Sequence, residues 1–233
     1  MNAQSTELFL HWLQDWEAEL RAVPFDKAVP DPARTALLCV DLTVGFAYQG
    51  MLSSPRVAGI VPAVVELFQK AHAAGVSHFV LPYDCHRPDT PEFESFAPHC
   101  VCGGEEAVTV PELLALPFSD QFVMVPKNSL NSAIDSRLDV WLNAHHRQVD
   151  TFIVVGDCTD LCVYQLAMYV RVRPNANGYR QRVILPADCV QTYDMPVYTA
   201  QKLGIMPHDG DLMHALFLYH MALNGVEVVA GLE

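Results

Sequence analysis

Residues 151–163 read Thr151-Phe152-Ile153-Val154-Val155-Gly156-Asp157-Cys158-Thr159-Asp160-Leu161-Cys162-Val163, and this stretch decides how the rest of the chain is read. Thr151 to Val155 is an unbroken β-branched and aromatic run, the pattern of a strand buried on both faces. After the polar turn, Val163, Leu166, Ala167 and Val170 recur at helical spacing. A buried strand running through a short turn into a helix is half of a strand–helix–strand unit, which implies a parallel sheet.

The same alternation extends in both directions. Thr35 to Val40 is a second apolar run and ends at Asp41. Val57, Ile60, Val61, Val64, Phe68 and Ala71 mark a helix closed by Gly75, and Val76 to Tyr83 is the next strand. Further strands are predicted at Gln121 to Val125, Arg182 to Pro186 and Val226 to Val229, with a helix around Ile134, Leu138, Trp141 and Leu142. The expected fold is a three-layer αβα sandwich on a mostly parallel, Rossmann-like sheet of about six strands with helices on both faces. Residues 34–233 form this domain; residues 1–33 supply an amphipathic helix over 6–22 and an extended, proline-rich connector from Pro24 to Pro32.

Composition limits the partners. The chain has 233 residues, 51% of them hydrophobic, enough for one large α/β core. Its formal charge of -13 opposes phosphate backbones and anionic lipid, so neither nucleic acid nor a membrane is an expected partner. The expected partner is a small molecule. No apolar run reaches the roughly 18 residues of a membrane span and no secretory leader pattern opens the chain, which points to the cytoplasm. Cys39, Cys158, Cys162 and Cys189 lie in or beside strand-like segments, so the seven cysteines read as reduced thiols in a reducing compartment. The helix over 6–22 could cover its own domain or a twin subunit, and a homo-oligomer is expected.

Ligands of parallel sheets bind at the carboxyl ends of the strands, which singles out Asp41, Asp84, Lys127 and Gly156 to Cys162. Each has a plain structural explanation: a turn aspartate, a surface lysine, a buried inert thiol. The setting of Cys162 argues otherwise. It falls in the first turn of a helix, where the dipole and free N–H groups favour thiolate, and a nearby ammonium would favour it further. Thr159 or Asp160 is the expected cap. Asp84 and His86 project to one side of a strand end with Cys85 turned away, and His99 follows after a loop. Two imidazoles and a carboxylate suit zinc, or iron or manganese; a structural zinc site on Cys85, Cys100 and Cys102 is a weaker alternative.

Val40-Asp41-Leu42 through Phe46, Asp84-Cys85-His86, Pro98-His99-Cys100-Val101, Lys127 and Gly156 to Val163 together resemble the isochorismatase-like cysteine hydrolases, the nicotinamidases among them in particular. The resemblance covers the chain from about Thr35 onward. It implies catalysis by Asp41, Lys127 and Cys162, with backbone N–H groups of Cys158 and Cys162 holding an oxyanion beside a cis peptide at Asp157-Cys158. It implies one divalent metal, zinc first, on Asp84, His86 and His99, with Glu92 where many relatives have a histidine. Phe46, Phe96 and Leu161 would line the substrate, although relatives usually carry tryptophan at the Phe96 position.

The implied reaction is hydrolysis of nicotinamide to nicotinate and ammonia through a cysteine thioester. The alternatives are a cysteine amidohydrolase for another small amide, an N-carbamoyl compound or a ureide, and a binding module that docks through the helix over 6–22. Pro207 to His214 reads as a loop and helix cap, with a second metal or acid–base cluster as its alternative.

Overall fold

The computed structural model describes residues 2–233. Seven strands form one all-parallel sheet: β1 (Thr35–Val40), β2 (His78–Asp84), β3 (Phe122–Lys127), β4 (Thr151–Asp157), β5 (Arg182–Pro186), β6 (Val190–Gln191) and β7 (Glu227–Val229). Their order is β3-β2-β1-β4-β5-β7, with the two-residue β6 paired to the end of β4. The helices are α1 (Ala3–Ala18), α2 (Phe25–Ala28), α3 (Val44–Ala47), α4 (Pro55–Ala74), α5 (Pro111–Leu114), α6 (Leu138–His145), α7 (Cys162–Asn177), α8 (Val197–Leu203) and α9 (Gly210–Leu223). The three-layer expectation holds, with one strand more than expected.

Two apolar layers enclose the sheet. Leu37, Cys39, Ile153 and Val155 face α4 through Val57, Val61, Val64 and Phe68, while Ala36, Leu38, Val40, Phe152 and Val154 face α7 through Val163, Leu166, Ala167 and Val170. Strands buried on both sides explain the unbroken apolar runs. The sheet order reverses between β1 and β4, where Val40 pairs with Gly156. Gly156 has φ 115°, and a Cβ there would stand 1.9 Å from Val40 O, so only glycine lets the two strand ends close up.

Several local expectations change. The N-terminal helix ends at Ala18, so Leu20 lies outside it, and the connector holds a helical turn at α2. Phe9, Trp12 and Trp16 of α1 pack edge-on against Tyr219 of α9, with ring centroids 5.2 to 5.9 Å apart. Ile134 is exposed in a loop before α6, because the segment ahead of Leu138 turns through Asp135 at φ 50°. Neither Thr159 nor Asp160 caps α7: Leu161 is the N-cap and offers no side-chain bond. The loop–cap reading of 207–214 holds in that Asp209 accepts from Leu212 N–H to start α9.

The reading of the cysteines as all reduced is corrected. Cys85 and Cys102 form a disulfide, and the other five are free and buried. The cause is a bridge between distant segments: His86 N–H donates to Cys100 O and Cys102 N–H to His86 O, which sets Cys85 and Cys102 side by side. The same bond removes two of the three ligands of the alternative cysteine zinc site. No helix among the described residues is long and apolar enough to cross a membrane.

Candidate active site

Adjacent parallel strands end side by side, so the last residues of β3, β2, β1 and β4 form a row. In it stand Lys127, Asp84, Asp41 just past β1, and Asp157, with Cys162 opening α7 above them. All five are buried. Lys127 Nζ lies 2.5 Å from Asp84 Oδ1, 2.7 Å from Asp41 Oδ2 and 3.5 Å from Cys162 Sγ. One oxygen of Asp41, one of Asp84 and the Cys162 sulfur all fall within 4.8 Å of one another. Asp41 has φ 56°, a left-handed conformation that aspartate tolerates better than most residues, and it is pinned there by N–H donation to Pro82 O. Its Oδ1 accepts from Asp84 N–H at 2.7 Å; its Oδ2 meets Lys127 as a charge but accepts no aligned hydrogen bond.

Burial and the Asp84 carboxylate push Asp41 up to about 6, against the pull of Lys127. Burial also works to raise Asp84, but the Lys127 charge, with His86 and His99 nearby, outweighs it and holds Asp84 below the usual carboxylate range. Burial disfavours the Lys127 ammonium, yet Asp41 and Asp84 overcome this and keep it charged. The pull of the helix end toward thiolate is outweighed: burial, with Asp41 and Asp84 nearby, raises Cys162 well above an ordinary thiol despite Lys127. In a low-dielectric site, desolvation exceeds the fraction of a charge at a helix end. The resting pair is therefore a neutral thiol beside a carboxylate that can take its proton.

The turn after β4 carries a cis peptide at Asp157-Cys158. Thr159, Leu161 and Val163 N–H bond to Gln191 O, Cys158 O and Cys158 O, while the N–H groups of Cys158 and Cys162 meet no backbone acceptor among the described residues. They remain available to an oxyanion.

Next to this group is a second cluster. Asp84, His86, Glu92 and His99 each bring a ligand atom within 4.8 Å of the others. His86 Nε2 lies 3.3 Å from Asp84 Oδ1 and 3.7 Å from Glu92 Oε1, and His99 Nε2 lies 3.5 Å from Asp84 Oδ2. Ligands held about 2.0 to 2.2 Å from one tetrahedral ion are spaced roughly this way. His86 Nδ1 faces Asn128 Oδ1 at 3.1 Å and His99 Nδ1 faces Ala97 O at 2.8 Å. Both acceptors demand the proton on Nδ1, leaving each Nε2 lone pair turned to the cluster. Buried His86 Nε2 and Glu92 Oε1 have no hydrogen-bond partner, so the residues fit a divalent cation.

Between the clusters is a small cavity of about 30 Å³. Phe46, Phe96, Leu161, Leu52 and Leu130 form its apolar wall; Asp41, Asp84, Glu92, His99, Asp157 and Cys162 supply its polar side. Phe46 and Phe96 stand 5.4 and 6.4 Å from the His99 ring. Every sequence-predicted site residue except His86 and Lys127 lines the cavity, and those two sit directly behind Asp84. Sequence reasoning missed Leu52, Leu130 and Asn128, and it singled out Asp157 within the turn without giving its side chain a role. For Asn128, an amide directly after a strand-end lysine was the available signal.

A parallel αβα protein with a buried thiol, carboxylate and ammonium at its switch point holds the groups that hydrolysis through a cysteine would require. The Isochorismatase domain family matches residues 35–216, and the chain belongs to that family of hydrolases. It is 31% identical to nicotinamidase 1 of Arabidopsis thaliana over 156 residues, 63% of either chain. Among solved structures it is similar to N-carbamoylsarcosine amidase of Thermoplasma acidophilum, at TM-score 0.63 and 20% identity over 84% of this chain and 95% of that one. It is also similar to the pyrazinamidase of Pyrococcus horikoshii in complex with zinc, at TM-score 0.65 and 21% identity over 84% and 98%.

Proposed function

We propose that the protein hydrolyses nicotinamide to nicotinate and ammonia through a thioester on Cys162. The observation that carries this reading is the sharing of Asp84: one carboxylate touches both the ammonium beside the thiol and the imidazoles of the cation cluster. A cavity lined by Cys162 on one side and by Glu92 and His99 of the cation cluster on the other suits one planar ring with its acyl carbon at the sulfur and a basic ring atom toward the cluster.

Asp41 Oδ2 takes the Cys162 proton as sulfur attacks the amide carbon. The oxyanion is received by the N–H groups of Cys158 and Cys162. Asp41 then returns the proton to the departing nitrogen, since an amide anion is too basic to leave alone, and activates the water that opens the thioester. Lys127 neutralises the carboxylates and holds Asp41 in place throughout. Asp84, His86 and His99, with Glu92, would hold a divalent ion, zinc by donor type, which when bound offers a Lewis-acid position for a ring nitrogen. The 31% identical nicotinamidase supports the substrate.

The experiment is ammonia release by the purified, zinc-loaded protein from nicotinamide, an N-carbamoyl amino acid and a ureide in parallel. Turnover of nicotinamide at least tenfold above the other two is expected. Turnover of another amide without nicotinamide overturns the substrate; none with any amide, by a protein whose metal content is verified, overturns the hydrolase reading.

A further inference from the structure

Asp157 is fully buried and lines the cavity, yet its Oδ1 has no hydrogen-bond partner. Its other oxygen meets only the Cys158 thiol, at 3.8 Å. Leaving a buried polar atom without a partner is costly, and native proteins rarely do so without a reason. The residue ends β4 next to the end of β1, placing it beside Asp41 and one residue before the Cys158 N–H. It stands at the sulfur end of the cavity, away from the cation cluster at His86 and His99.

We infer that Asp157 is a specificity-determining residue, whose carboxyl hydrogen-bonds the N–H₂ end of a primary amide seated against Cys162. This rests on the hydrolase reading above and deepens it: the site selects unsubstituted carboxamides. Two arguments favour an N–H donor as its partner. The carbonyl oxygen of the substrate already has the Cys158 and Cys162 N–H groups, so the nitrogen is the polar atom left without a partner. The apolar wall of Phe46, Leu52, Phe96 and Leu161 offers it none. Burial with Asp41 and Asp84 nearby keeps Asp157 protonated, so its carbonyl oxygen can accept without placing another negative charge beside the attacking sulfur.

The test compares nicotinamide with methyl nicotinate, which keeps the ring and acyl carbon but has no N–H, using the zinc-loaded full chain. Asp157→Leu is expected to lower the amide-to-ester ratio of kcat/KM by about tenfold, through KM for the amide, with ester hydrolysis held within about threefold. Asp157→Asn keeps a carbonyl acceptor at the same place and should hold the ratio within about threefold of wild type. An unchanged ratio in Asp157→Leu, or equal loss on both substrates, overturns the assignment. If Asp157→Leu does not fold, the smaller Asp157→Ala is read by the same ratio. A wild-type enzyme that leaves nicotinamide intact overturns the substrate alone; the ratio is then measured on the amide it does cleave and the matching ester.

Discussion

Asp84 and Lys127 close two neighbouring parallel strands opposite one another, and Lys127 Nζ lies 2.5 Å from Asp84 Oδ1. The pair joins what would otherwise be two separate sites. On one side Lys127 reaches Asp41 and the Cys162 sulfur; on the other Asp84 reaches His86 and His99. On the proposed function, a change at the pair should therefore affect both the thiol chemistry and cation binding.

Lys127→Met tests the pair directly. It removes the one ammonium set among Asp41, Asp84 and Cys162, leaving buried carboxylates without a counter-charge. Breaking a buried pair from one side costs roughly 3–5 kcal/mol, so the urea midpoint should fall clearly at neutral pH. Ammonia release should fall at least about a hundredfold. Wild-type stability in this variant would show that the pair contributes little.

The acid limb of the activity profile follows from Asp41. As a base it must be ionised, and its carboxyl sits at about 6 through burial and the Asp84 charge. kcat/KM for the amide should rise with pH up to about 6 and level off above it, losing about tenfold per pH unit on the acid side. Asp41→Asn should lose roughly a hundred- to ten-thousandfold and show no such limb. A limb at the ordinary carboxylate value near 4 would mean that another group takes the proton.

Much of this arrangement is legible from the sequence because it is local. Thr35 to Val40 and Thr151 to Val155 read as strands because both faces are buried, and Gly75 reads as a stop because the helix ends there at φ 103°. Polar residues at strand ends then pick out Asp41, Asp84 and Lys127. What local reading lost was set by distant segments. The balance of forces on Cys162 was only half legible, because the first-turn position is visible in sequence, whereas the burial and the carboxylates from β1 and β2 are not. Cys85 and Cys102 meet only through the His86–Val101 bridge, and Asp157 stands out only once its oxygen is seen without a partner.

Cation retention should depend on Asn128. Its Oδ1 is 3.1 Å from His86 Nδ1 and also accepts from Arg87 N–H, so it fixes both the ring and its proton. Asn128→Ala should weaken zinc binding about 10–100-fold in a competition with a chromogenic chelator, while leaving every proposed ligand in place. Treating the wild type with a strong chelator should raise KM for the amide, and adding zinc back should restore it. Equal zinc affinity in the variant would remove Asn128 from the site.

Acid stability should depend on His214, outside the catalytic group. Its Nδ1 lies 2.8 Å from Thr159 Oγ1 on the turn before Cys162, and burial with nearby Arg56 lowers its pKa to about 4, against Asp160 and Asp211. Glu17 stands 3.9 Å from Nε2 but is more than a third exposed, so screening leaves burial dominant. The folded pKa is depressed below the ordinary 6.5, so the unfolded chain takes up the proton first as pH falls. The stabilisation is complete above that value and is lost progressively toward 4. Between pH 7.5 and 5 this amounts to about 2 kcal/mol. Denaturant titrations at the two pH values should show that loss in the wild type and a much smaller one in His214→Gln, which can still bond Thr159 but does not titrate. Equal pH slopes would mean that His214 is protonated in the folded protein after all, with Glu17 as its partner.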